Sequence, residues 1–513
     1  MNWHFKHIFS IKYFCGSYSI KTCFLCENHQ LFTTNSTIFR HIQEVTDMPL
    51  PNTHHTPHEV KQALDTCHRL WFIGIGGIHM CALAMISKAR GFTVAGSDLA
   101  ENENVRALRD AGIGVYPQHN AAQMATFDAV IYTLAISKDN PEYRAALRLG
   151  LPLFSRADFL GYLLSGYPTR IGVAGSHGKS TTTAMLGQIL EKAQKSPTVV
   201  CGAQMRHTGT PFALGTGDTC IYEACEYGNS FLRLPPTLAV ILNAELDHVD
   251  FFKSREMLLH AFGKFARPAT EILVPFDDKA LQNALPRGVK FYTFGTEGEA
   301  DYTADQVTLK NGMGQFTPVF RGNPTGRVTL RVPGLHNVKN ALAAAGAAHL
   351  SGVSCADILT GLSAFGGVAR RMEYRGIFCG ARIFDDYAHH PTEIAASLTT
   401  ARSLCHGGRL FVLFQSHTYS RTAAFFDDIA AALRVADRVL LSDIYPARET
   451  NTFGVSVKAL AKTTGAHATY IQTLADAAAL LEKELQPNDL LVIMGAGDVG
   501  RIFTHFSKKH FTT

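Results

Sequence analysis

The chain has 513 residues, 46% of them hydrophobic and 18% charged, with a net charge of +5. That is the balance of a globular enzyme with room for roughly three domains. The small net charge and the lack of a dense Lys/Arg block exclude nucleic-acid binding as the main activity, and no uncharged apolar run reaches the ~18 residues that a membrane-spanning helix needs.

The eleven cysteines are odd in number and scattered. Cys23 and Cys26 form a CxxC pair with no second pair to complete a zinc site, so the thiols read as reduced, in a cytoplasmic protein. Residues 1–47 are rich in Phe, Tyr, His, Cys and Ser and carry neither helical nor alternating periodicity. They lack the pattern of a secretory signal and the arginines of a transit peptide. The expectation is a disordered extension or a wrongly assigned start, with the folded protein beginning near Met48.

Leu70–Trp71–Phe72–Ile73 reads as a strand, followed by the glycine turn Gly74-Ile75-Gly76-Gly77-Ile78-His79 and a helix. This is the first βα unit of a dinucleotide-type fold, with its fingerprint broken at the last position, so a nucleotide diphosphate is favoured over a nicotinamide cofactor. A second strand ends at Gly96-Ser97-Asp98, where an acid commonly meets a ribose hydroxyl. Gly76, Gly77, Ser97 and Asp98 are therefore candidates for holding a nucleotide. Ala129–Tyr132 is another strand, and Asn140-Pro141 caps and opens a helix. Gly166-Tyr167-Pro168 reads as a linker, which places a first domain at 48–166.

Ile171–Ala174 is a short apolar strand running into Gly175-Ser176-His177-Gly178-Lys179-Ser180 and a helix opened by Thr181, Thr182 and Thr183. Strand, glycine loop and helix cradle a phosphate: unpaired N–H groups at the helix start donate to its oxygens, a lysine reaches the terminal phosphates and a hydroxyl sits on Mg²⁺. Val173 stands where the usual motif has its first glycine. The alternative is a βα turn that holds Gly-Lys-Ser by chance.

Further strands end in Glu223-Ala224-Cys225-Glu226 and Asn243-Ala244-Glu245-Leu246-Asp247-His248. In a parallel sheet those carboxyl ends lie beside the phosphate loop, so Glu226 and His248, with Ser180, are the candidate Mg²⁺ ligands. Asp247 and Asp250 read first as caps or surface charges. Residues 301–331 alternate between Gly, Asn and Pro breaks, as a small antiparallel flap does. His336, Asn337 and Asn340 open an alanine-rich helix and are placed to hold a base or ribose. The central domain is thus 167–368.

In 369–513, four strands end in polar clusters: Asp385-Asp386-Tyr387-Ala388-His389-His390, Gln415-Ser416-His417-Thr418-Tyr419-Ser420-Arg421, Ser442-Asp443 and Gly495-Ala496-Gly497-Asp498. Helical stretches separate them. This is a second doubly wound unit with a site along its carboxyl edge.

Taken in order, GSHGKST, EACEYGNSF, NAELDHVD, GLHNVKNA, DDYAHHPTE and FQSHTYSRT resemble the Mur ligases of bacterial peptidoglycan synthesis, over residues 68–505. The resemblance implies a three-domain α/β chain: a Rossmann-like UDP-binding domain, a central P-loop ATPase domain on a parallel sheet, and a Rossmann-like domain that brings the amino acid. It implies ATP and Mg²⁺ as cofactors, and UDP-N-acetylmuramate and L-alanine as substrates, joined through an acyl phosphate. A murein tripeptide in place of L-alanine is the alternative. A membrane or nucleic-acid partner is not implied, and a monomer or weak homodimer is expected.

By the same resemblance, Gly175, Ser176, His177, Gly178, Lys179, Ser180, Thr181, His336, Asn337, Asn340, Arg370 and Asp386 bind ATP. Lys179, His389, His417 and Arg421 are catalytic, Tyr387, His389 and Arg421 face the amino acid, and Ser180, Glu226 and His248 hold metal. Two residues depart from the family pattern: His79 follows the glycine turn where a small residue is usual, which would crowd the UDP phosphates, and Thr418 stands where many relatives carry Arg. Two further readings are a nicotinamide dehydrogenase, opposed by the broken fingerprint, and a nucleotide-driven switch, which would hydrolyse nucleotide without an amino acid.

Overall fold

The computed structural model describes residues 55–512; the expected extension at 1–47 and the start near Met48 lie outside them. Three sheets succeed one another along the chain.

The first is a five-stranded parallel sheet. Strand Arg69–Ile73 lies at its centre, between Thr93–Ser97 and Ala129–Tyr132, with Gly114–Tyr116 and Leu153–Ser155 at the edges. The chain reverses direction in the sheet order on either side of Arg69–Ile73. That switch point puts the Gly74–Gly77 turn at the carboxyl edge.

The second sheet is built on strand Thr169–Ala174, flanked in parallel by Thr219–Glu223 and Leu238–Ile241. Helix Lys179–Lys192 leaves this strand through the phosphate loop and is buried along most of its length. Strands Glu271–Pro275 and Lys290–Phe294 continue the parallel run. The residues expected as an antiparallel flap form antiparallel strands that extend this sheet. Phe294 pairs with Tyr302, and Tyr302–Lys310, Met313–Phe320 and Val328–Pro333 then follow as antiparallel strands. Helix Leu335–Leu350 packs its alanines at zero exposure against the sheet. Small side chains there let helix and strands approach closely.

The third sheet has seven strands, with Leu410–His417 between Arg438–Tyr445 and Leu490–Met494, and Ala381–Asp386 beyond. Apolar layers cover both its faces. The strand from Leu410 runs on to His417, so Gln415 and Ser416 are buried ladder residues rather than loop.

The two junctions differ. One apolar cluster runs without a break from the first sheet, through Leu83 and Leu164, to Phe231, Phe262 and Phe265 of the second. Helix Arg156–Leu164 lies so close to the central backbone that a Cβ at Gly161 would stand 2.4 Å from the Arg233 carbonyl oxygen. Among the described residues, the third sheet shares no such cluster with the second and meets it through charged and polar groups. No helix of the described residues is long and apolar enough to cross a membrane.

Candidate active site

The phosphate loop is held by its neighbours. The His177 N–H donates to Asn243 Oδ1 at 2.9 Å and the Asn243 amide returns a bond to His177 O at 3.1 Å. Ser176 Oγ donates to Glu245 O at 2.6 Å. Gly178, at φ +83°, opens the helix, and a Cβ there would stand 2.5 Å from Asn340 Oδ1. Glycine at this point is required both by the backbone conformation and by the Asn340 side chain pressed against it.

Lys179 Nζ donates to Glu226 at 3.0 and 3.2 Å and to the Ser176 carbonyl at 3.0 Å. Burial works against its charge, but Glu226 and the other acids near it win and the ammonium is held above its ordinary range. His248 Nε2 is 3.7 Å from the same Glu226 carboxylate. The histidine adopts φ +52°, an uncommon conformation for a non-glycine residue, and packs against the Tyr227 ring at 4.9 Å. Glu226 and His248 are thus together, as their strand-end positions require. Ser180 is placed differently: its hydroxyl donates to Glu223 Oε2 at 2.8 Å, which also takes the Gly202 N–H at 2.7 Å. Glu223 is therefore a further acid of the cluster. It stands three residues before Glu226, in the same motif, and that repeat of acids was the available signal.

A cavity of about 790 Å³ adjoins the loop, lined by His177, Gly178, Thr181, Asn243, His336, Asn337, Asn340, Arg371, Asp386 and Glu393. Burial, with Arg371 nearby, pushes His336 down to about 4, so it enters the cavity neutral. Asn337 spends its amide on the Pro333 carbonyl at 2.7 Å and accepts from Asn340 at 3.1 Å, so it orients Asn340 rather than reaching outward. Asp386 is buried and takes the N–H groups of Met372 and Ala388 and the Ser397 hydroxyl. Burial raises it to about 6, with Arg371 and these bonds opposing.

Arg370 does not face this cavity. Its guanidinium donates to the carbonyls of Gly495 (2.6 Å) and Gly497 (3.4 Å) within the third lobe, while Arg371 lines the cavity. The two guanidinium groups lie 5.0 and 5.1 Å from the Tyr387 ring centroid, so consecutive arginines pack on one aromatic side chain.

The third lobe reaches the phosphate-loop region through Arg421. Its Nε and Nη2 donate to Asp247 Oδ1 at 2.9 and 2.8 Å, with both side chains nearly buried. Burial opposes the charge of Asp247, but Arg421, together with His248, His389 and the His248 N–H, holds it well below the usual carboxylate range. Asp247 is thus an inter-lobe partner rather than a surface charge. Asp250 instead accepts from the Tyr227 hydroxyl at 3.0 Å. Arg421 Nη1 also donates to His417 Nδ1 at 3.1 Å, and His417 stacks on Tyr445. With Nδ1 occupied as an acceptor, His417 is left with an N–H at Nε2. His389 is the reverse: its Nδ1–H donates to Tyr387 O at 3.0 Å, leaving the Nε2 lone pair open. Burial pushes its imidazole down to about 4. Of the two histidines, His389 can take up a proton and His417 positions Arg421. Thr418 bends the chain between them at φ +64°, outside the comfortable range of a β-branched residue.

In the first lobe, Asp98 turns inward: its Oδ2 accepts the Gly76 N–H at 2.8 Å, and a Cβ at Gly76 would stand 2.9 Å from that oxygen. Ser97 Oγ donates to the fully buried Glu142 at 2.5 Å. Both residues shape the glycine turn, and their side chains are engaged within the lobe. His79 lies within electrostatic reach of Arg156 and Glu223, its Nε2 buried without a hydrogen-bond partner, and burial pushes it down to about 4. It faces the central lobe as well as the glycine turn.

The glycine turn, phosphate loop and third-lobe edge together define an ATP-dependent ligase of three lobes, and the comparisons agree. Residues 69–168 match the Mur ligase family catalytic domain, 173–348 the Mur ligase middle domain, and 370–497 the Mur ligase glutamate ligase domain. The chain belongs to the Mur ligase family.

Among its relatives, the UDP-N-acetylmuramate–L-alanine ligase of Caldicellulosiruptor bescii is 40% identical, over 86% of this chain and 99% of its own. The enzyme of the same name from Agathobacter rectalis is 42% identical, over 85% and 97%. The solved UDP-N-acetylmuramate–alanine ligase of Thermotoga maritima superposes with a TM-score of 0.75 at 28% identity, over 86% of this chain and 98% of that one. A murein peptide ligase from Psychrobacter arcticus gives 0.68 at 26% identity, over 85% and 97%.

Proposed function

We propose that this chain joins L-alanine to the lactyl carboxylate of UDP-N-acetylmuramate at the expense of ATP, in the cytoplasm, as a step of peptidoglycan precursor synthesis. The observation that carries this reading is the convergence at one edge of Lys179, Glu226 and His248 with Arg421 and His389 from the third lobe. The relatives at about 40% identity over nearly their whole length carry the name of that activity.

A carboxylate is a poor electrophile, and phosphorylating it creates a leaving group that an amine can displace. The loop N–H groups and Lys179 hold the β- and γ-phosphates and neutralise charge during transfer. Glu226 and His248, with Glu223 and Ser180 beside them, form a donor set of carboxylates, imidazole and hydroxyl that suits Mg²⁺. Such an ion supplies charge neutralisation on the phosphates. His389 accepts the proton that the alanine ammonium must lose, through its open Nε2. Arg421, fixed by Asp247 and His417, faces the amino acid beside Tyr387.

His336 and Asn340 contact the adenosine, and Gly76 and Gly77 present backbone to the UDP moiety. The domains run 48–166, 167–368 and 369–513, in a monomer or weak homodimer.

The test is ADP release with each substrate omitted in turn. It requires UDP-N-acetylmuramate and an amino acid together, with L-alanine preferred. Release driven by a murein tripeptide but not by L-alanine would assign the chain to the recycling reaction instead. Release without any amino acid would describe a nucleotide-driven switch.

A further inference from the structure

Away from the Glu226–His248 pair, three side chains converge across the junction between the second and third lobes. His177 comes from the phosphate loop, Glu245 from the loop after strand Leu238–Ile241, and His390 from the residue that caps helix Pro391–Leu404. One ligand atom from each lies within 4.8 Å of the others. His177 Nε2 is 3.3 Å and His390 Nδ1 3.9 Å from the same oxygen, Glu245 Oε2, and the two rings are 4.7 Å apart. Two ligands bound at about 2.1 Å in a tetrahedral zinc site lie about 3.4 Å from each other.

The hydrogen bonding around the three is incomplete, and His390 Nε2 is buried with no hydrogen-bond partner. His177 Nε2 is buried and, despite its distance from the carboxylate, makes no hydrogen bond. The opposite ring nitrogen of His177 is 3.1 Å from Glu393 Oε1. That is the arrangement in which an outer carboxylate fixes a ligating imidazole. Glu245 Oε2 takes the Thr392 hydroxyl at 2.7 Å. His390 Nδ1 has only the weak 3.4 Å approach of the Thr392 N–H, and the Phe425 ring fixes its imidazole plane from 4.8 Å.

We propose that His177, Glu245 and His390 form a second cation site, for a borderline divalent ion of the Zn²⁺ class, that ties the third lobe to the phosphate loop. Two imidazoles and one carboxylate favour such an ion over Mg²⁺, which prefers oxygen ligands. Three protein ligands leave a fourth position, and His177 and Glu245 both line the nucleotide cavity, so that position opens toward water or a phosphate oxygen. Because His390 belongs to the third lobe and the other two to the second, an ion held here opposes separation of the lobes.

The test is calorimetric titration of the full chain with Zn²⁺, without nucleotide, alongside the visible spectrum of the Co²⁺-loaded protein. The wild type is expected to bind one equivalent and to give the intense absorption of tetrahedral Co²⁺. His390→Asn keeps a helix-capping side chain and Glu245→Gln keeps an acceptor for Thr392. Each should weaken Zn²⁺ binding about tenfold or more, the usual range for perturbing a metal site. Glu226→Gln, in the other cluster, should leave it unchanged. Absence of binding and of the Co²⁺ band in the wild type would overturn the proposal. So would loss on Glu226→Gln with retention in folded His390→Asn and Glu245→Gln.

Discussion

The two lobe junctions use opposite chemistry. Between the first and second lobes the contact is continuous core, with Leu164, Phe231 and Phe265 in one apolar cluster. Between the second and third it is a set of ion pairs and hydrogen bonds: Arg421 with Asp247, His177 with Glu393, Thr392 with Glu245 and Arg206 with Glu373. Opening the first junction would expose apolar surface to water, which is opposed in proportion to area. Opening the second exchanges protein partners for water, with a small net change. On the proposed function, the first junction is a fixed bed for the sugar nucleotide, and the second is the joint through which the third lobe closes.

The sharpest way to test the active edge between them is Lys179→Ala. Its Nζ is embedded among Glu226 and loop carbonyls, and its removal should reduce ADP release by about 10³-fold or more, since one electrostatic contact in a phosphoryl-transfer site carries effects of that order. Circular dichroism should show the fold retained. Phe231→Ala breaks the fixed junction. It should lower unfolding stability by about 3–5 kcal/mol, measured by urea denaturation, because it leaves a cavity in a fully buried cluster.

Asp247→Ala breaks the closing junction and sharpens the contrast. A pair buried in a rigid core would lose about 3–5 kcal/mol on removal of one partner. Here Arg421 regains water when the lobe swings away, so the loss of stability should stay near 1 kcal/mol by the same denaturation, while KM for L-alanine rises. A stability loss equal to that of Phe231→Ala would mean that the two junctions are equally fixed.

The smallest effect is on pH. Although burial opposes its charge, Glu393 and Glu245 raise His177 from 6.5 to about 9 in the metal-free closed form. A raised value means that the protonated form is favoured by closure. The contribution of this contact is full below about pH 6.5 and is lost as pH rises through about 9. Inter-lobe distance measured by paired fluorophores should therefore increase across that window, and His177→Asn should flatten the change.

Much of this was legible in the sequence, because the chemistry sits at strand ends and strand ends are marked by apolar runs that stop at polar clusters. Leu238–Ile241 stopping before Asn243 and Thr219–Glu223 stopping before Cys225 were enough to bring Glu226 and His248 together. What could not be read were partners chosen by side-chain direction. Arg370 and Arg371 are neighbours in sequence, yet only Arg371 lines the cavity beside the phosphate loop, because Arg370 spends its guanidinium on the Gly495 and Gly497 carbonyls. Ser97 and Asp98 read as candidates for holding a nucleotide, and their bonds to buried Glu142 and to the Gly76 amide were not legible. Asp247 read as a cap because its partner, Arg421, lies 174 residues further along the chain.

The central claim is that the γ-phosphate of ATP passes to a carboxylate carried by the sugar nucleotide before the amine attacks. UDP-N-acetylmuramate labelled with ¹⁸O in its lactyl carboxylate tests this directly. The account predicts that each turnover with L-alanine delivers one labelled oxygen to inorganic phosphate. Phosphate free of label, with amide still formed, would contradict it.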